Sequence, residues 1–236
     1  MKAIILAGGM GSRLRDMVPD VPKPLAPIAG RPFLEYVLDE LIKSGITEVT
    51  VSTGYKSMMI QSHFGDSYKI IRLKYAVEPH SLGTGGAIAF ACIGENQPIL
   101  VLNGDTLLRI NYKKVIEWYW QDPSPLAMVL TYVEDVSRYG SVQYSDGRVI
   151  SIIEKKYSGP GLINCGTYIL NPSIFSELNL TGQFSFESEV LQPHCLTLKT
   201  RGFITDSYFI DIGNPVDYER ALRELPVQGA NPICTR

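Results

Sequence analysis

Short apolar runs alternate with helical patterns along the first half of the chain. The runs have the length of buried strands and lie at residues 2–7, 48–52, 73–76 and 99–102. Residues 33–43, 57–64 and 84–91 between them have the period of helices. In the first, one face collects Phe33, Leu34, Val37, Leu38 and Leu41. This alternation predicts an α/β fold with helices on both faces of a mostly parallel sheet.

The second half changes to shorter strand patterns, at residues 128–132, 141–144, 149–154 and 166–170. Ser145-Asp146-Gly147 predicts a hairpin turn. Residues 215–224 predict a closing helix. We expect one domain over residues 1–225 and a flexible C-terminal tail over residues 226–236, where Pro and Gly occur without periodicity.

The composition excludes several classes of protein. Hydrophobic residues make up 45% and charged residues 19% of the 236 residues, which is typical of a globular domain. A net charge of −2 without a long basic run argues against a nucleic-acid partner. No apolar run reaches membrane-spanning length, and the start does not resemble a signal peptide. The cysteines are far apart, which predicts reduced thiols in the cytoplasm: Cys92, Cys165, Cys195 and Cys234. The sequence leaves a homo-oligomer open.

A glycine-rich segment, Leu6-Ala7-Gly8-Gly9-Met10-Gly11-Ser12-Arg13-Leu14, follows the first predicted strand. Glycines let a backbone approach a ligand closely and present N–H donors to phosphate. The segment is neither the dinucleotide fingerprint, whose third glycine would fall at Leu14, nor a P-loop. Arg13 adds a guanidinium suited to phosphate oxygens. By itself this pattern also fits an ordinary structural turn.

Lys23 stands between two prolines in Val21-Pro22-Lys23-Pro24-Leu25. Proline restricts both its own backbone and that of the preceding residue, so the ammonium is held stiffly. We expect it to contact a phosphate or a leaving group, with a solvated surface lysine as the alternative.

Together these two segments resemble the signature of the sugar-1-phosphate nucleotidyltransferase family, and the likeness extends to about residue 224. Five later motifs resemble that family in the same order: Ser81-Leu82-Gly83-Thr84-Gly85-Gly86-Ala87, Val101-Leu102-Asn103-Gly104-Asp105, Ile153-Glu154-Lys155, Ile163-Asn164-Cys165-Gly166 and Phe209-Ile210-Asp211-Ile212-Gly213-Asn214-Pro215. Three more resemble its branch acting on D-glycero-D-manno-heptose 1-phosphate with GTP: Ser137-Arg138-Tyr139-Gly140-Ser141-Val142, Phe184-Ser185-Phe186-Glu187 and Tyr208-Phe209-Ile210-Asp211.

The resemblance implies a Rossmann-like mixed, mostly parallel sheet flanked by helices, with a smaller β-rich sugar-binding portion. It implies an enzyme that joins a nucleoside triphosphate to a sugar 1-phosphate, for surface glycan biosynthesis, with Arg13 and Lys23 as catalytic residues. The implied nucleotide contacts are Leu6, Ala7, Gly8, Gly9, Gly11, Ser12, Arg13, Lys23, Glu78, Gly83, Thr84 and Asp105. The implied sugar-phosphate contacts are Asn103, Gly140, Glu154, Lys155, Asn164 and Gly166.

The same resemblance implies a magnesium site formed by Asp105 and Asp211. Two polyanions must meet in this reaction, so the site must screen charge and position groups. A hard divalent cation with oxygen ligands suits that task.

The resemblance places Glu78 where the family reads the nucleobase, and its chemistry predicts which base. A carboxylate only accepts hydrogen bonds, and guanine offers two adjacent donors, whereas uracil and thymine offer one N–H between two carbonyls. Glu78 therefore favours GTP, although some uridylyltransferases that the family includes also carry glutamate here. Two departures from the family pattern are Arg15-Asp16-Met17-Val18 in place of Arg-Pro-Leu-Thr and Glu154-Lys155-Lys156 in place of Glu-Lys-Pro.

Three alternatives remain open on the sequence. The substrate could be another sugar 1-phosphate, such as mannose 1-phosphate with GTP or glucose 1-phosphate with UTP. A glycosyltransferase of similar fold would typically carry an Asp-x-Asp motif, where this chain has Asn103-Gly104-Asp105. A catalytically dead subunit conflicts with the presence of the residues that the chemistry needs: Arg13, Lys23, Asp105, Lys155 and Asp211.

Overall fold

The computed structural model of the protein describes residues 1–9, 14, 17–153 and 158–225. Its strands are β1 (Ala3–Leu6), β2 (Pro27–Ile28), β3 (Arg31–Pro32), β4 (Glu48–Thr53), β5 (Ser67–Tyr68), β6 (Ile71–Val77), β7 (Ile99–Asn103), β8 (Thr106–Leu108), β9 (Leu126–Val133), β10 (Ser141–Ser145), β11 (Arg148–Ile153), β12 (Gly161–Leu170), β13 (Arg201–Thr205) and β14 (Phe209–Asp211). Its helices are α1 (Phe33–Lys43), α2 (Ser57–Phe64), α3 (Gly83–Ala91), α4 (Tyr112–Gln121), α5 (Ser173–Glu177), α6 (Gln192–His194) and α7 (Pro215–Glu224).

A sheet of ten strands forms the centre of the molecule, in the order β10-β11-β13-β9-β12-β7-β1-β4-β6-β5. The four strands predicted from the first half pair in parallel, with β1 between β7 and β4, and β6 beyond β4. The order in which the chain adds strands to the sheet changes direction at β1. Strand β4 lies on one side of β1, and the later strand β7 lies on the other side. The carboxyl ends of β1, β4 and β7 therefore meet at one edge of the sheet.

The second half of the chain extends the same sheet. Strand β12 pairs antiparallel with both β7 and β9, and β13 adds in parallel to β9. The hairpin of β10 and β11 lies at the far end, with its turn at the predicted Asp146-Gly147. The predicted mixed, mostly parallel sheet flanked by helices is confirmed, and apart from the short β5–β6 pair its antiparallel pairs involve strands of the second half.

Strand β12 is longer than its pattern predicts. It begins at Gly161, whereas apolar alternation is readable only from residue 166. Its pairing with β9 shifts register between Asn164 and Tyr168, because a bulge interrupts the ladder there. A bulge breaks the period of two, so the sequence pattern hides the first half of the strand.

Two apolar cores cover the two faces of the sheet. Neighbouring residues in a strand point to opposite faces, and accordingly Ile5 packs in one core and Ile4 in the other. Helices α1, α2, α4 and α7 contribute to the first core, and α3, α5 and the helical segment Glu187–Leu191 to the second. The predicted apolar face of α1 is fully buried, with Leu34, Leu38 and Leu41 at 0% exposure. Among the helices of the described part, none combines the length and apolar character needed to cross a membrane.

Candidate active site

A cleft of about 270 Å³ opens at the carboxyl ends of β1, β4 and β7. Open α/β sheets bind ligands at such a point, where strand order reverses and the adjacent loops separate. The cleft is lined by Leu6, Ala7, Gly8, Gly9, Lys23, Pro24, Ser52, Glu78, Ser81, Gly83, Thr84, Ala87, Asn103 and Asp105. These include every described residue among the predicted nucleotide contacts.

The start of the glycine-rich segment forms the floor of the cleft. The backbone of Ala7 is fixed by its N–H, which donates to the carbonyl of Ser52 at 2.7 Å. Gly8 lies so close to Glu78 that an added Cβ would be 2.4 Å from the glutamate Oε1 atom. Among the described residues, no neighbour lies within 4 Å of the equivalent position at Gly9. The predicted contacts Gly11, Ser12 and Arg13 lie outside the described residues.

Lys23 reaches the opposite wall of the cleft and pairs with Asp105. It begins a single 3₁₀ turn, Lys23–Leu25, after an extended Pro22. Its Nζ atom donates to Oδ2 of Asp105 at 3.0 Å, and its side chain is only 15% exposed. The two prolines thus present one ammonium group beside the predicted metal ligand.

A two-stranded ribbon brings Asp211 to Asp105. Strands β8 and β14 pair antiparallel, with Asp211 opposite Thr106, and the N–H of Ile212 donates to the Asp105 carbonyl at 2.9 Å. Oδ1 of Asp211 accepts from the N–H of Gly213 at 2.6 Å. Burial, followed by the nearby Asp105 carboxylate, raises the pKa of Asp211 from 3.8 to about 6. The two carboxylates therefore repel each other at short range, with Lys23 as the neighbouring cation.

This donor set fits a hard divalent cation. Mg²⁺ is usually held by one or two carboxylates, with the remaining positions taken by water and substrate phosphates. Within the described ranges no group of three or more His, Cys, Asp or Glu side chains could hold a metal ion. Asp105 lines the cleft and Asp211 adjoins Asp105 through the β8–β14 ribbon, so the pair matches the partial coordination that leaves room for phosphate oxygens.

The first turn of α3 forms a second wall. The predicted contacts Gly83 and Thr84 line the cleft there, together with Ser81 and Ala87. Gly85 and Gly86 have a different role, because their N–H groups donate to the carbonyl of Phe184 at 3.0 and 3.3 Å. The glycines thus let the Phe184 backbone approach the start of α3, where its carbonyl accepts from two of the first four N–H groups of the helix.

Glu78 lies immediately after β6 and faces the same space. Its N–H donates to the carbonyl of Thr53 at 2.8 Å, and its Oε2 accepts from the N–H of Leu82 at 3.0 Å. These bonds fix the carboxylate between Gly8 and the start of α3. A group held in this way can accept hydrogen bonds from a ligand without losing rotational freedom on binding.

Some of the residues predicted to bind the acceptor substrate, the sugar phosphate, lie around the bulge in β12. Gly166 has a φ of +66°, and a Cβ there would lie 2.4 Å from Nδ2 of Asn103. Asn164 is held by two hydrogen bonds, since its Oδ1 accepts from the Gly166 N–H at 2.9 Å and its Nδ2 donates to Tyr168 Oη at 2.7 Å. Gly140 precedes β10 and does not line the cleft. Glu154 and Lys155 lie outside the described residues.

The sequence predictions miss four lining residues: Pro24, Ser52, Ser81 and Ala87. The most informative is Ser52, whose hydroxyl is buried without a hydrogen-bond partner in the described part of the chain. It lies opposite Leu6 in the β1–β4 pair. Its position at the carboxyl end of a parallel strand is the signal that could have identified it.

The fold and the site define a nucleotidyltransferase. The chain matches the Nucleotidyl transferase family over residues 2–227 and belongs to it.

Particular relatives narrow the comparison. The chain is 45% identical over 227 residues to the D-glycero-alpha-D-manno-heptose 1-phosphate guanylyltransferase of Aneurinibacillus thermoaerophilus, covering 95% of this chain and 98% of that enzyme. The crystal structure of HddC from Yersinia pseudotuberculosis complexed with GMP-PN superposes with a TM-score of 0.82 at 38% identity, covering 95% of this chain and 99% of that one. A mannose-1-phosphate guanylyltransferase of Mycobacterium tuberculosis is 32% identical over 98% of this chain and 66% of its own length.

Proposed function

We propose that this protein transfers the guanylyl group of GTP to D-glycero-alpha-D-manno-heptose 1-phosphate, giving GDP-heptose and pyrophosphate. The observation that carries the proposal is the 45% identity, over nearly the full length of both chains, to an enzyme named for this reaction. The cleft adds a chemical argument, because its one described carboxylate beside the glycine-rich floor, Glu78, suits the two donors of guanine.

The chain's own residues position the two phosphates and balance their charge. An oxygen of the sugar phosphate attacks the α-phosphorus, and pyrophosphate leaves on the opposite side. We propose that Gly8, Gly9 and the first turn of α3 hold the nucleotide through backbone N–H groups. Lys23 neutralises the negative charge that builds up on the leaving pyrophosphate. No residue needs to shuttle a proton, since the attacking phosphate is already ionised.

We propose that Asp105 and Asp211 bind Mg²⁺. When bound, the ion supplies the positive charge that screens the two phosphates from each other. The raised pKa of Asp211 supports this assignment, because two close carboxylates without a cation repel each other.

We assign acceptor binding to the bulge of β12. Asn103, Asn164 and Gly166 form a polar corner at the carboxyl end of β7, and their mutual contacts fix the amide of Asn164. Gly140, Glu154 and Lys155 remain proposed contacts of the sugar and its phosphate. Another acceptor, mannose 1-phosphate, is the second candidate, supported by the 32% identity to an enzyme named for it.

A matrix of substrates tests the proposal. Four nucleoside triphosphates are crossed with the 1-phosphates of heptose, mannose and glucose, and pyrophosphate release is measured. We expect the highest kcat/KM for GTP with the heptose phosphate. A higher value for mannose 1-phosphate would replace the acceptor, and equal use of UTP would refute the base assignment.

The product would serve a glycosyltransferase that builds a surface glycan, and we propose that the enzyme works in the cytoplasm, where GTP is made. Cys92, Cys165 and Cys195 are buried free thiols, as expected in a reducing compartment. Cys234 lies outside the described residues. Cell fractionation followed by immunodetection tests this location, and sedimentation of the purified protein tests whether it forms a homo-oligomer.

A further inference from the structure

A buried carboxylate with no place in the proposed chemistry lies at the start of α7. Asp217 is 2% exposed and pairs with two arginines, Arg138 and Arg220. Its Oδ2 also accepts from the side-chain amide of Asn214 at 2.8 Å. Burying a charge is costly unless it is paired and hydrogen bonded, so four residues have been arranged around this one group. The fourth, Tyr139, places its hydroxyl 3.5 Å from the same oxygen.

These partners come from two chain segments, each of which contains a residue of the proposed site. Arg138 and Tyr139 lie in the segment that leads to Gly140, a proposed sugar contact. Asn214 ends the loop that starts at Asp211, a proposed metal ligand, and its side chain caps α7 by accepting from the Asp217 N–H at 3.0 Å. Asp217 therefore contacts both the acceptor-binding segment (Arg138 to Gly140) and the loop that runs from Asp211 to Asn214.

The strand that carries Asp211 is held by the same cluster. The ring of Tyr139 packs edge-on against Phe209, with centroids 5.8 Å apart. Arg220 donates to the carbonyl of Phe209 at 2.7 Å. Burial lowers the pKa of Arg138, while the hydrogen bond to Asp217 and the charges of Asp217 and Asp211 raise it above its usual value. The charge of Asp211, the proposed metal ligand, thus acts on the Arg138 guanidinium.

We infer that Asp217, paired with Arg138, is a positioning residue that joins the acceptor-binding segment to Asp211. The Asp217–Arg138 pair fixes the position of Asp211. Asp211 therefore moves only together with the residues that hold the sugar. Loss of the pair disturbs metal binding and acceptor binding together while sparing the nucleotide pocket across the cleft. This inference rests on the proposed function both for the identity of the sugar phosphate and for the metal site at Asp105 and Asp211.

The test compares Asp217→Asn, Arg138→Gln and the double variant. Manganese binding is titrated by electron paramagnetic resonance without substrates, and the KM values for sugar 1-phosphate and GTP are measured separately. We expect each single variant to bind Mn²⁺ about 10-fold more weakly, the usual effect of losing support behind a metal ligand. The KM for sugar 1-phosphate should rise in parallel, and the KM for GTP should stay within about twofold. The double variant should be no worse than Asp217→Asn, because the two residues act as a unit.

Asp39→Asn is the matched control, since Asp39 also pairs with an arginine, Arg31, at 2.8 Å but does not line the cleft. It should leave Mn²⁺ binding and both KM values unchanged. If Asp217→Asn fails to fold, Arg138→Gln still decides, because Arg138 is 43% exposed in its side chain. Unchanged Mn²⁺ affinity, a shift in only one of the two readouts, or an equal rise in both KM values would overturn the inference. A substrate matrix without guanylyl transfer would overturn the proposed function and leave the manganese result to be judged alone.

Discussion

At the scale of single residues, the site depends on one ammonium beside two carboxylates. Lys23 is 3.0 Å from Asp105, and Asp211 lies at the end of the adjoining ribbon. The side chain of Lys23 is largely buried, so its charge acts with little screening by water. Removing it leaves both the carboxylates and the phosphates with one cation fewer.

The first prediction concerns that ammonium. Lys23→Ala should lower kcat by about 100-fold, the scale of losing one preorganised electrostatic contact, with a smaller effect on KM for GTP. Initial-rate kinetics at saturating Mg²⁺ measure this. Lys56→Ala serves as the control, because Lys56 Nζ donates to the backbone carbonyls of Pro19 and Asp20 and does not line the cleft. If KM for GTP alone rose, Lys23 would be a ground-state binder.

The second prediction concerns the base. Glu78→Gln replaces an acceptor oxygen with a donor, so one of the guanine N–H groups loses its partner. We expect kcat/KM for GTP to fall by about 100-fold and the preference for GTP over UTP to narrow.

Gly8→Ala and Gly9→Ala form a matched pair for this prediction. An alanine at Gly8 would press on Glu78 Oε1, while one at Gly9 meets no described atom within 4 Å. Gly8→Ala should therefore share the loss of GTP preference, and Gly9→Ala should keep it. Unaltered preference in Glu78→Gln would mean that the base is read elsewhere.

At the scale of elements, helix α3 owes its position to glycines that pack against the Phe184 segment. A Cβ at Gly83 would lie 2.5 Å from the Phe184 carbonyl oxygen. Since that contact involves backbone on both sides, neither partner can move away by changing a rotamer. The Phe184 segment therefore fixes where the first turn of α3 meets the cleft.

The third prediction compares Gly83→Ala with Gly94→Ala. Both glycines have positive φ values, +70° and +82°, so alanine meets similar backbone strain at each. Gly83 has a close neighbour, whereas no atom of the described residues lies within 4 Å of the equivalent position at Gly94. Gly83→Ala should lose about 2 kcal/mol more in the free energy of unfolding, measured by urea denaturation, and should bind GTP more weakly. Equal destabilisation would show that the contact is unimportant.

Elements with an uninterrupted period are predictable from the sequence, and those with mixed patterns are not. Parallel strands β1 and β7 are largely buried and stand out as apolar runs, while β4 alternates Val49 and Val51 with polar residues. Helix α4 is missing from the sequence prediction, although Asn111 caps it by accepting from the N–H groups of the two following lysines. Its buried residues do have helical spacing, so the sequence carries a signal that the prediction does not use. Its buried side consists of Tyr112, Val115 and Tyr119.

The site is predictable as a list of residues but not as an arrangement. The glycine-rich segment, Lys23 and Asp105 follow from motifs, and the structure brings the described ones together. The contact of Asp217 with Arg138 could not be predicted, because it joins residues separated by 79 positions in the chain. Such pairings depend on sheet order, and the β13–β9 pair that sets it in the second half is not visible in any local pattern.

At the scale of the whole molecule, the site lowers the stability of the fold that carries it. The pKa of Asp211 is raised to about 6, against 3.8 for an unperturbed carboxyl. The folded protein therefore binds this proton more tightly than the unfolded chain does. As far as this group is concerned, stability is greatest below about pH 4 and is lost as the pH rises toward 6.

The fourth prediction follows from that penalty. In the absence of divalent cations, Asp211→Asn should be more stable than the native protein at pH 7 by about 1–3 kcal/mol, and the difference should vanish near pH 4. It should also be inactive and should not be stabilised by Mg²⁺. Thermal unfolding across pH, with Asp206→Asn as an exposed control, measures the stability difference and the response to Mg²⁺. A native protein as stable at pH 7 as the variant would contradict the raised pKa.

The continuity of the sheet also limits how this enzyme can be engineered. Because β12 covers the edge of β7, cutting the chain after the nucleotide half would uncover a buried strand and invite aggregation. Acceptor-binding halves therefore cannot be exchanged between relatives as modules. On the proposed assignment of sugar binding to the bulge of β12, a change of sugar preference has to be introduced by substitutions around that bulge, with the ladder left intact.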